Sequence, residues 1–175
     1  MTETDDALLI ALAQRGSLDA VAELFERYWP VAWRAAFAVT GNRARADDAA
    51  QDAIQRAFAA LDSFELGRPF APWVRRIAVN RAIDELRRDS RLVEMDDEAR
   101  APALASEPRD RAAGLVSAVA ALPNDKRMVV VLRYWLDFTL DEIADTLQIP
   151  FGTVASRLSR ALADLRAGLE AQDVA

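Results

Sequence analysis

The sequence predicts an all-α protein made of two small helical domains joined by a flexible linker. Glycine and proline are scarce, at 6 and 7 of 175 residues, and no segment alternates β-branched with polar residues over the length of a strand. Apolar residues recur at helical spacing except over 92–111, which is rich in acids and alanine and contains two prolines. We therefore predict a domain over 1–91, a linker over 92–111 and a second domain over 112–175.

The first domain contains helical segments whose ends carry recognisable signals. Gly16 ends the first helix and Ser17 caps the next. Pro30 begins a further helical turn rather than breaking the chain, because proline is tolerated in a first turn. The stretch 62–72 holds a glycine and two prolines and is predicted to be a loop, with Pro72 at the first position of the helix that follows. The predicted helical segments are 7–15, 18–28, 31–39, 46–61 and 73–88.

The second domain is predicted to end in a helix-turn-helix. The residues Leu122-Pro123-Asn124 separate its first two helices, and Asn124 is a candidate cap for the second. Thr139 and Glu142 have the spacing of a capping box, and a short turn over 148–150 precedes the last helix. The predicted helices are 113–121, 125–135, 139–147 and 151–169.

The last predicted helix has a buried and an exposed face. The buried stripe consists of apolar residues at helical spacing, Val154, Leu158, Ala161, Leu162 and Leu165. The exposed face carries short hydroxyls and arginines, Thr153, Ser156, Arg157 and Arg160. Such side chains on a recognition helix reach base edges and phosphates in a major groove. The alternative is an amphipathic hairpin that packs on 129–132 and leaves this face merely solvated.

The composition excludes several classes of chemistry. Cysteine and histidine are absent, which rules out disulfides, thiolate zinc sites, thiol nucleophiles and imidazole bases. No carboxylate cluster is spaced with a nucleophile or a phosphate loop, so we expect no enzyme, no catalytic residues, no metal and no cofactor. No apolar run approaches the roughly 20 residues of a membrane span, and the start of the chain is acidic. We expect a cytoplasmic protein without direct membrane insertion.

Charge is distributed unevenly along the chain. The formal net charge is −6, yet 68–91 carries seven arginines against three acidic residues. The segments on either side are acidic, so one basic stripe lies between acidic blocks. Such a stripe can bind a phosphate backbone locally while the rest of the protein repels it. A solvated helix face accounts for the charge equally well.

Polar and aromatic residues share one sector of the helix over 73–88. Arg76, Asn80 and Arg87 fall together at helical spacing, and Trp73 borders them. An aromatic ring beside arginines and an asparagine is what stacking on unpaired bases requires. The preceding loop adds Phe64, Arg68 and Phe70. Taken singly, Phe64, Phe70 and Trp73 fit a core position better than a base platform.

An acidic cluster lies near the start of the helix over 46–61. Asp48, Gln51 and Asp52 share one face of this helix. Three interpretations remain open: stabilisation of the helix dipole by acids in the first turn, a divalent metal site, and a docking surface for a basic partner.

Taken together, these motifs resemble an extracytoplasmic-function sigma factor of bacterial RNA polymerase. The resemblance rests on DAAQD over 48–52, WVRRIAVNRAIDELRR over 73–88, LP over 122–123 and GTVASRL over 152–158. It implies a region 2 helical bundle over 1–91, which binds core polymerase and melts the minus-ten element. It also implies a region 4 helix-turn-helix over 112–175, which reads the minus-thirty-five element.

The resemblance also implies roles for the residues singled out above. Asp48, Gln51 and Asp52 would contact the beta-prime clamp helices of core RNA polymerase, whose beta subunit is a further partner. The loop over 62–72, with Phe64, Arg68 and Phe70, would hold a flipped base of promoter DNA together with Asn80. Trp73, Arg76 and Arg87 would steady the melted strand, and Thr153, Ser156, Arg157 and Arg160 would enter the upstream major groove. An anti-sigma factor would clamp both domains.

The chain departs from the family pattern at two places, and two other classes of protein stay open. Many relatives carry a basic residue at the position of Ala155 and a histidine or bulky residue at that of Ser159, so we expect weaker minus-thirty-five binding. The loop is also unusually proline-rich over 69–72.

Two other classes of protein remain open as interpretations of the sequence. One is an adaptor whose two bundles bind proteins, and the other is a helix-turn-helix repressor that binds duplex DNA alone.

Overall fold

Every regular element that the structure describes is a helix. The structure is a computed structural model that describes residues 3–92 and 110–173. The chain divides into two compact units, Met1–Val93 and Glu94–Ala175. The predicted all-α fold with two domains is confirmed. Apart from its ends, which belong to helices, the predicted linker lies outside the described residues.

The first unit is a bundle of three long helices with a shorter one packed on it. Its helices are α1 (Glu3–Gln14), α2 (Leu18–Thr40), α3 (Arg43–Ala59) and α4 (Phe70–Leu92), with a 3₁₀ turn at Leu61–Ser63. α2, α3 and α4 pack against one another, and α1 packs on α2. Alanines fill much of their shared core, among them the fully buried Ala32, Ala50 and Ala78. These short side chains let the backbones of the three helices approach closely.

α2 is longer than predicted and runs without a break through Pro30. The Ser17 side chain caps its start by accepting a hydrogen bond from the backbone of Ala20 at 3.3 Å, as predicted. Gly41 ends it in the left-handed conformation, with φ of 62°. The prediction of two segments separated near Pro30 was wrong. Residues before and after the proline belong to one buried stripe, and packing of that stripe outweighs the missing backbone hydrogen bond.

The starts of α3 and α4 also differ from prediction by a few residues. Asn42 caps α3 by accepting from the backbone of Arg45 at 3.2 Å, so this helix begins three residues before the predicted Ala46. α4 begins at Phe70, which makes Pro72 its third residue rather than its first. Proline is acceptable there because the first-turn N–H groups have no partner within the helix.

The second unit consists of shorter helices and one long terminal helix. They are α5 (Asp110–Ala121), α6 (Asn124–Val130), which continues into a π-helical turn at Val131–Trp135, α7 (Leu140–Leu147) and α8 (Phe151–Asp173). Asn124 does not cap α6 as predicted. The capping position is Pro123, which has no side chain able to bond, and the Asn124 side chain instead accepts from Arg127 at 3.4 Å.

The helix-turn-helix is formed by α7, a tight turn and α8. The predicted capping box is confirmed: Thr139 Oγ1 accepts from the Glu142 backbone at 3.2 Å, and Glu142 Oε2 accepts from the Thr139 backbone at 2.9 Å. Val154 and Ala161 are fully buried on α8. Leu162 is 40% exposed, contrary to prediction, because it lies about 100° around the helix from Ala161.

No helix within the described parts of the chain is long and apolar enough to cross a membrane.

Candidate nucleic-acid interface

The polar sector predicted on α4 lies at the surface of the first unit. Arg76 is exposed, and Trp73, Asn80 and Arg87 are partly exposed. The opposite side of the helix carries Val74, Ala78, Val79 and Ala82, which are all fully buried. Burial of that side turns the polar sector outward. A helix surface of this kind can offer two guanidinium groups, an amide and an indole to a ligand.

An aromatic cluster lies beneath the start of α4. The ring of Phe64 lies 5.0 Å from that of Phe70 and 4.9 Å from that of Trp73, measured between centroids. Phe70 also meets Tyr28 edge-on at 4.7 Å. Phe64 and Phe70 are 7% and 3% exposed, so neither offers a free face on which a base could stack. We assign these two rings to the core, where they support Trp73 and the loop.

The loop between α3 and α4 is held at its base and open at its tip. Gln14 of α1 donates hydrogen bonds to the carbonyls of Leu61 and Phe64, at 2.9 and 3.1 Å. Arg68 lies at the exposed tip and pairs with Glu65 at 2.8 Å, which is a weak surface pair. Sequence reasoning missed Gln14, whose only signal is an amide on the inward side of α1. This side chain fixes where the loop leaves the core.

The acidic cluster on α3 is exposed except where it meets α4. Asp48 and Gln51 are exposed. Asp52 accepts hydrogen bonds from Arg56 at 3.0 Å and lies 3.6 Å from Arg81 of α4. Because α3 begins at Arg43, no acid lies in its first turn, so the helix dipole does not account for this cluster.

The metal alternative for the acidic cluster finds no support in the geometry. Among the described residues, no group of three or more potential metal-ligating side chains comes together. Of the three interpretations of Asp48, Gln51 and Asp52, the docking surface fits the geometry best.

The predicted DNA-reading face of α8 is only partly open. Arg160 is exposed, whereas Thr153, Ser156 and Arg157 are partly buried. The Ser156 hydroxyl donates to the Thr153 carbonyl at 3.0 Å, and Arg157 pairs with Asp125 at 3.3 Å. The four side chains do lie on the same part of α8. Arg157, however, is held against α6 and must exchange Asp125 for another acceptor to bind a phosphate.

A buried arginine supports the second unit and has no counterpart in the sequence prediction. Arg127 is 6% exposed and donates to the carbonyls of Ala120 and Leu122, at 2.7 and 3.1 Å. Burial lowers the pKa of its guanidinium. These bonds satisfy carbonyls at the end of α5 that the helix leaves unpaired. The only sequence signal is an arginine directly before an apolar run.

Comparison with known proteins matches each of the two units to a protein-family model. Residues 24–92 match the family model for Sigma-70 region 2, and residues 113–165 match the model for Sigma-70, region 4. The chain is 31% identical over 173 residues to the ECF RNA polymerase sigma factor SigW of Bacillus subtilis, covering 90% of this chain and 92% of the relative. It is 32% identical over 169 residues to SigM of Mycobacterium tuberculosis, covering 93% and 84%.

Two solved structures are similar over most of the chain. One is CnrH in complex with the cytosolic domain of CnrY, with a TM-score of 0.57, 30% identity and coverage of 95% of this chain and 97% of the other. The second is the sigma factor RpoE in complex with the anti-sigma factor NepR from Bartonella quintana, with a TM-score of 0.60, 25% identity and coverage of 85% and 96%.

The chain belongs to the sigma-70 family, as an extracytoplasmic-function sigma factor. Members of this family are transcription initiation factors and not enzymes, so the expectation of a non-enzymatic protein is confirmed. A stand-alone helix-turn-helix repressor accounts only for the second unit, and an adaptor accounts for neither family match.

Proposed function

We propose that this sigma factor binds core RNA polymerase, directs it to promoters and melts the DNA at the minus-ten element. The observation that carries the proposal is the outward sector of α4 in the unit that matches region 2. There Arg76 is exposed, Trp73 and Asn80 are partly exposed, and the buried side packs against the bundle. A surface with an indole, an amide and an arginine suits unpaired bases better than a protein partner.

Core polymerase binds the acidic cluster on α3. Asp48 and Gln51 are exposed, and Asp52 is 43% exposed at its side chain. These groups face the basic residues of the beta-prime clamp helices, and the beta subunit is a second point of contact. Opposite charges steer the encounter and set its orientation.

The minus-ten element is opened at α4 and the loop before it. Asn80 reads the edge of a base flipped out of the duplex, which the loop over 62–72 receives with Arg68 at its tip. Stacking on an aromatic ring such as Trp73 contributes about 1–3 kcal/mol per base, which offsets an unstacking cost of a few kcal/mol. Arg76 and Arg87 bind the backbone of the opened strand. Phe64 and Phe70 act from the core, by holding the loop.

The minus-thirty-five element is read by the first turns of α8. Thr153 and Ser156 reach base edges, while Arg160 and Arg157 bind phosphates and bases in the major groove. Release of Arg157 from Asp125 reduces the net gain from its DNA contact. Together with Ala155 and Ser159, this predicts modest affinity for the upstream element.

An anti-sigma factor controls the protein. Two similar solved structures are complexes: one is CnrH with the cytosolic domain of CnrY, and the other is the sigma factor RpoE with the anti-sigma factor NepR. The net charge of −6 weakens binding of the free protein to DNA, so polymerase must deliver it to promoters. Tight binding of promoter DNA by the purified protein alone would contradict this part of the proposal.

The test separates polymerase binding from melting. The full chain is mixed with core polymerase and promoter fragments, and core binding and single-stranded thymine reactivity are measured separately. Asn80→Ala should reduce melting at least about tenfold, the loss of about 1.4 kcal/mol of binding, and leave core binding intact. Asp48→Arg should weaken core binding instead. Asp145→Arg, the same change at an exposed acid of the second unit, is the control.

Asp52→Arg is expected to weaken core binding too. Because Asp52 also contacts Arg81 of α4, this substitution disturbs the packing of the bundle as well as the acidic cluster. Equal loss of core binding in Asn80→Ala and Asp48→Arg would refute the division of labour. Failure of the wild-type protein to bind core polymerase at all would refute the proposed function.

A further inference from the structure

A ladder of aromatic rings runs along one side of α2. Phe25, Trp29, Trp33 and Phe37 follow one another at intervals of four residues. Phe25 stacks on Trp29 with ring centroids 5.6 Å apart, and Trp33 stacks on Phe37 at 4.8 Å. None of these side chains belongs to the polymerase-binding or DNA-binding residues proposed above.

All four rings reach the surface, and the ladder is most exposed toward its amino-terminal end, which we call the open end. Toward the other end, Trp33 and Phe37 are partly exposed, and Trp33 donates to Asp47 of α3 at 2.6 Å. At the open end, Leu18 is 81% exposed and Phe25 is 43% exposed. With the exposed Ala22 and the partly exposed Trp29, these residues form what we call the aromatic face. Contiguous exposed apolar surface of this kind marks an interaction site.

The charged residues of α2 that lie on the side of the aromatic face are of one sign. At about 100° per residue, the four residues of the face share a sector of about 120° with Asp19 and Glu26. Both acids are exposed. The two arginines of α2, Arg27 and Arg34, lie outside this sector, and Arg27 is paired with Asp6 and Glu23. Within α2, the apolar surface is therefore bordered on one side by these two acids, which we call the acidic rim.

An exposed apolar surface bordered by acidic residues favours one kind of binding partner. Phosphate backbones are repelled by the rim, and a second copy of the chain would bring the same acids against one another. The open part of the face, from Leu18 to Trp29, is about 16 Å long at 1.5 Å per residue. That length matches about three turns of a docked helix, with apolar anchors at i, i+4 and i+7.

We propose that the aromatic face of α2 docks an amphipathic helix of a partner protein, with an apolar stripe flanked by lysine or arginine. Phe25 and Trp29 are the apolar anchors, and Asp19 and Glu26 pair with the flanking basic groups. The proposal does not rest on the proposed function, because it involves none of the polymerase-binding or DNA-binding residues.

The four tryptophans of the chain allow a direct test of peptide binding by NMR. The indole N–H signals of Trp29, Trp33, Trp73 and Trp135 are recorded by NMR on the full-length protein, with single substitutions to assign them. The probe is a synthetic amphipathic helical peptide of leucine and lysine. Saturable shifts are expected for Trp29 and not for Trp73 or Trp135.

Two variants establish that the face itself binds the peptide. Phe25→Ser should raise the Kd of the peptide about tenfold or more, since it removes an exposed anchor. Leu8→Ser, which changes a 62% exposed leucine of α1, should leave the Kd unchanged. Circular dichroism confirms that both variants are folded.

Four results would overturn the proposal. The first is no binding of the leucine–lysine peptide. The second is equal binding of a peptide in which glutamine replaces every leucine, since charge alone would then suffice. The third is a shift confined to Trp73 or Trp135. The fourth is a concentration-dependent dimer, seen by sedimentation and abolished by Phe25→Ser, because the occupant would then be a second copy.

Discussion

The guanidinium of Arg81 on α4 lies 3.6 Å from the carboxylate of Asp52 on α3. Arg81 also pairs with Asp84 one turn further along α4, and Asp52 also binds Arg56 on its own helix. The chain of charges joins the helix proposed to bind polymerase to the helix proposed to bind the opened promoter. Arg81 directly follows Asn80 in the sequence, so this contact lies next to the residue proposed to read the flipped base.

Reversal of the charge at Asp52 should cost stability as well as polymerase binding. Asp52→Arg places a third guanidinium beside Arg56 and Arg81, and we expect a loss of about 1 kcal/mol in the free energy of unfolding, because the group is partly exposed. Asp48→Arg, at an exposed position on the same helix, should change it by less than about 0.5 kcal/mol. Urea denaturation measures both, and equal losses would show that the contact with Arg81 contributes nothing.

Substitution of Gln148 by glycine should increase the stability of the second unit. It ends α7 in the left-handed conformation, with φ of 53°, which costs about 1 kcal/mol for a residue with a side chain. Gln148→Gly should therefore raise the melting temperature of the second unit. Gln55→Gly, at an exposed position inside α3, should destabilise by about 1 kcal/mol. If Gln148→Gly and Gln55→Gly were both destabilising, the backbone at Gln148 would not be strained.

Arg127 should be required for stability despite the cost of burying its charge. Arg127→Met keeps much of the volume but leaves the carbonyls of Ala120 and Leu122 without their donor. We expect a loss of about 2 kcal/mol. Arg133→Met removes one bond from an exposed arginine to the Phe138 carbonyl and should cost less. An unchanged free energy of unfolding in Arg127→Met would mean that desolvation of the guanidinium cancels its hydrogen bonds.

Stability should fall at high pH through Tyr28. Burial, and then a hydrogen bond to the Asp6 carboxylate, raise the pKa of its hydroxyl well above the usual value of about 10. A raised pKa contributes stability below pH 10, and that stability is lost above it, because the unfolded tyrosine ionises first.

The variant Tyr28→Phe isolates this effect. Between pH 8 and pH 11 the wild-type protein should lose about 1.4 kcal/mol more than Tyr28→Phe in urea denaturation. Tyr134→Phe, at an exposed tyrosine, should keep the wild-type pH dependence. A wild-type dependence in Tyr28→Phe would show that another group is responsible.

Much of the candidate site was predictable because its residues lie on single helices. Helical spacing alone groups Arg76 with Asn80, and Thr153 with Arg157. Spacing could not show that Arg157 is held by Asp125, which lies 32 residues earlier in the sequence, nor that Asp52 meets Arg81.

By itself, the sequence determined the all-α class, the two-domain plan, the capping of α2 by Ser17 and of α7 by Thr139, and the family motifs. These features depend on residues within about four positions of one another, or on short contiguous patterns. Only the tertiary structure decided that Pro30 lies within one continuous helix, that Phe64 and Phe70 are buried, and that Arg127 is enclosed. Burial depends on contacts between residues far apart in the chain, and packing against them outweighs local preference.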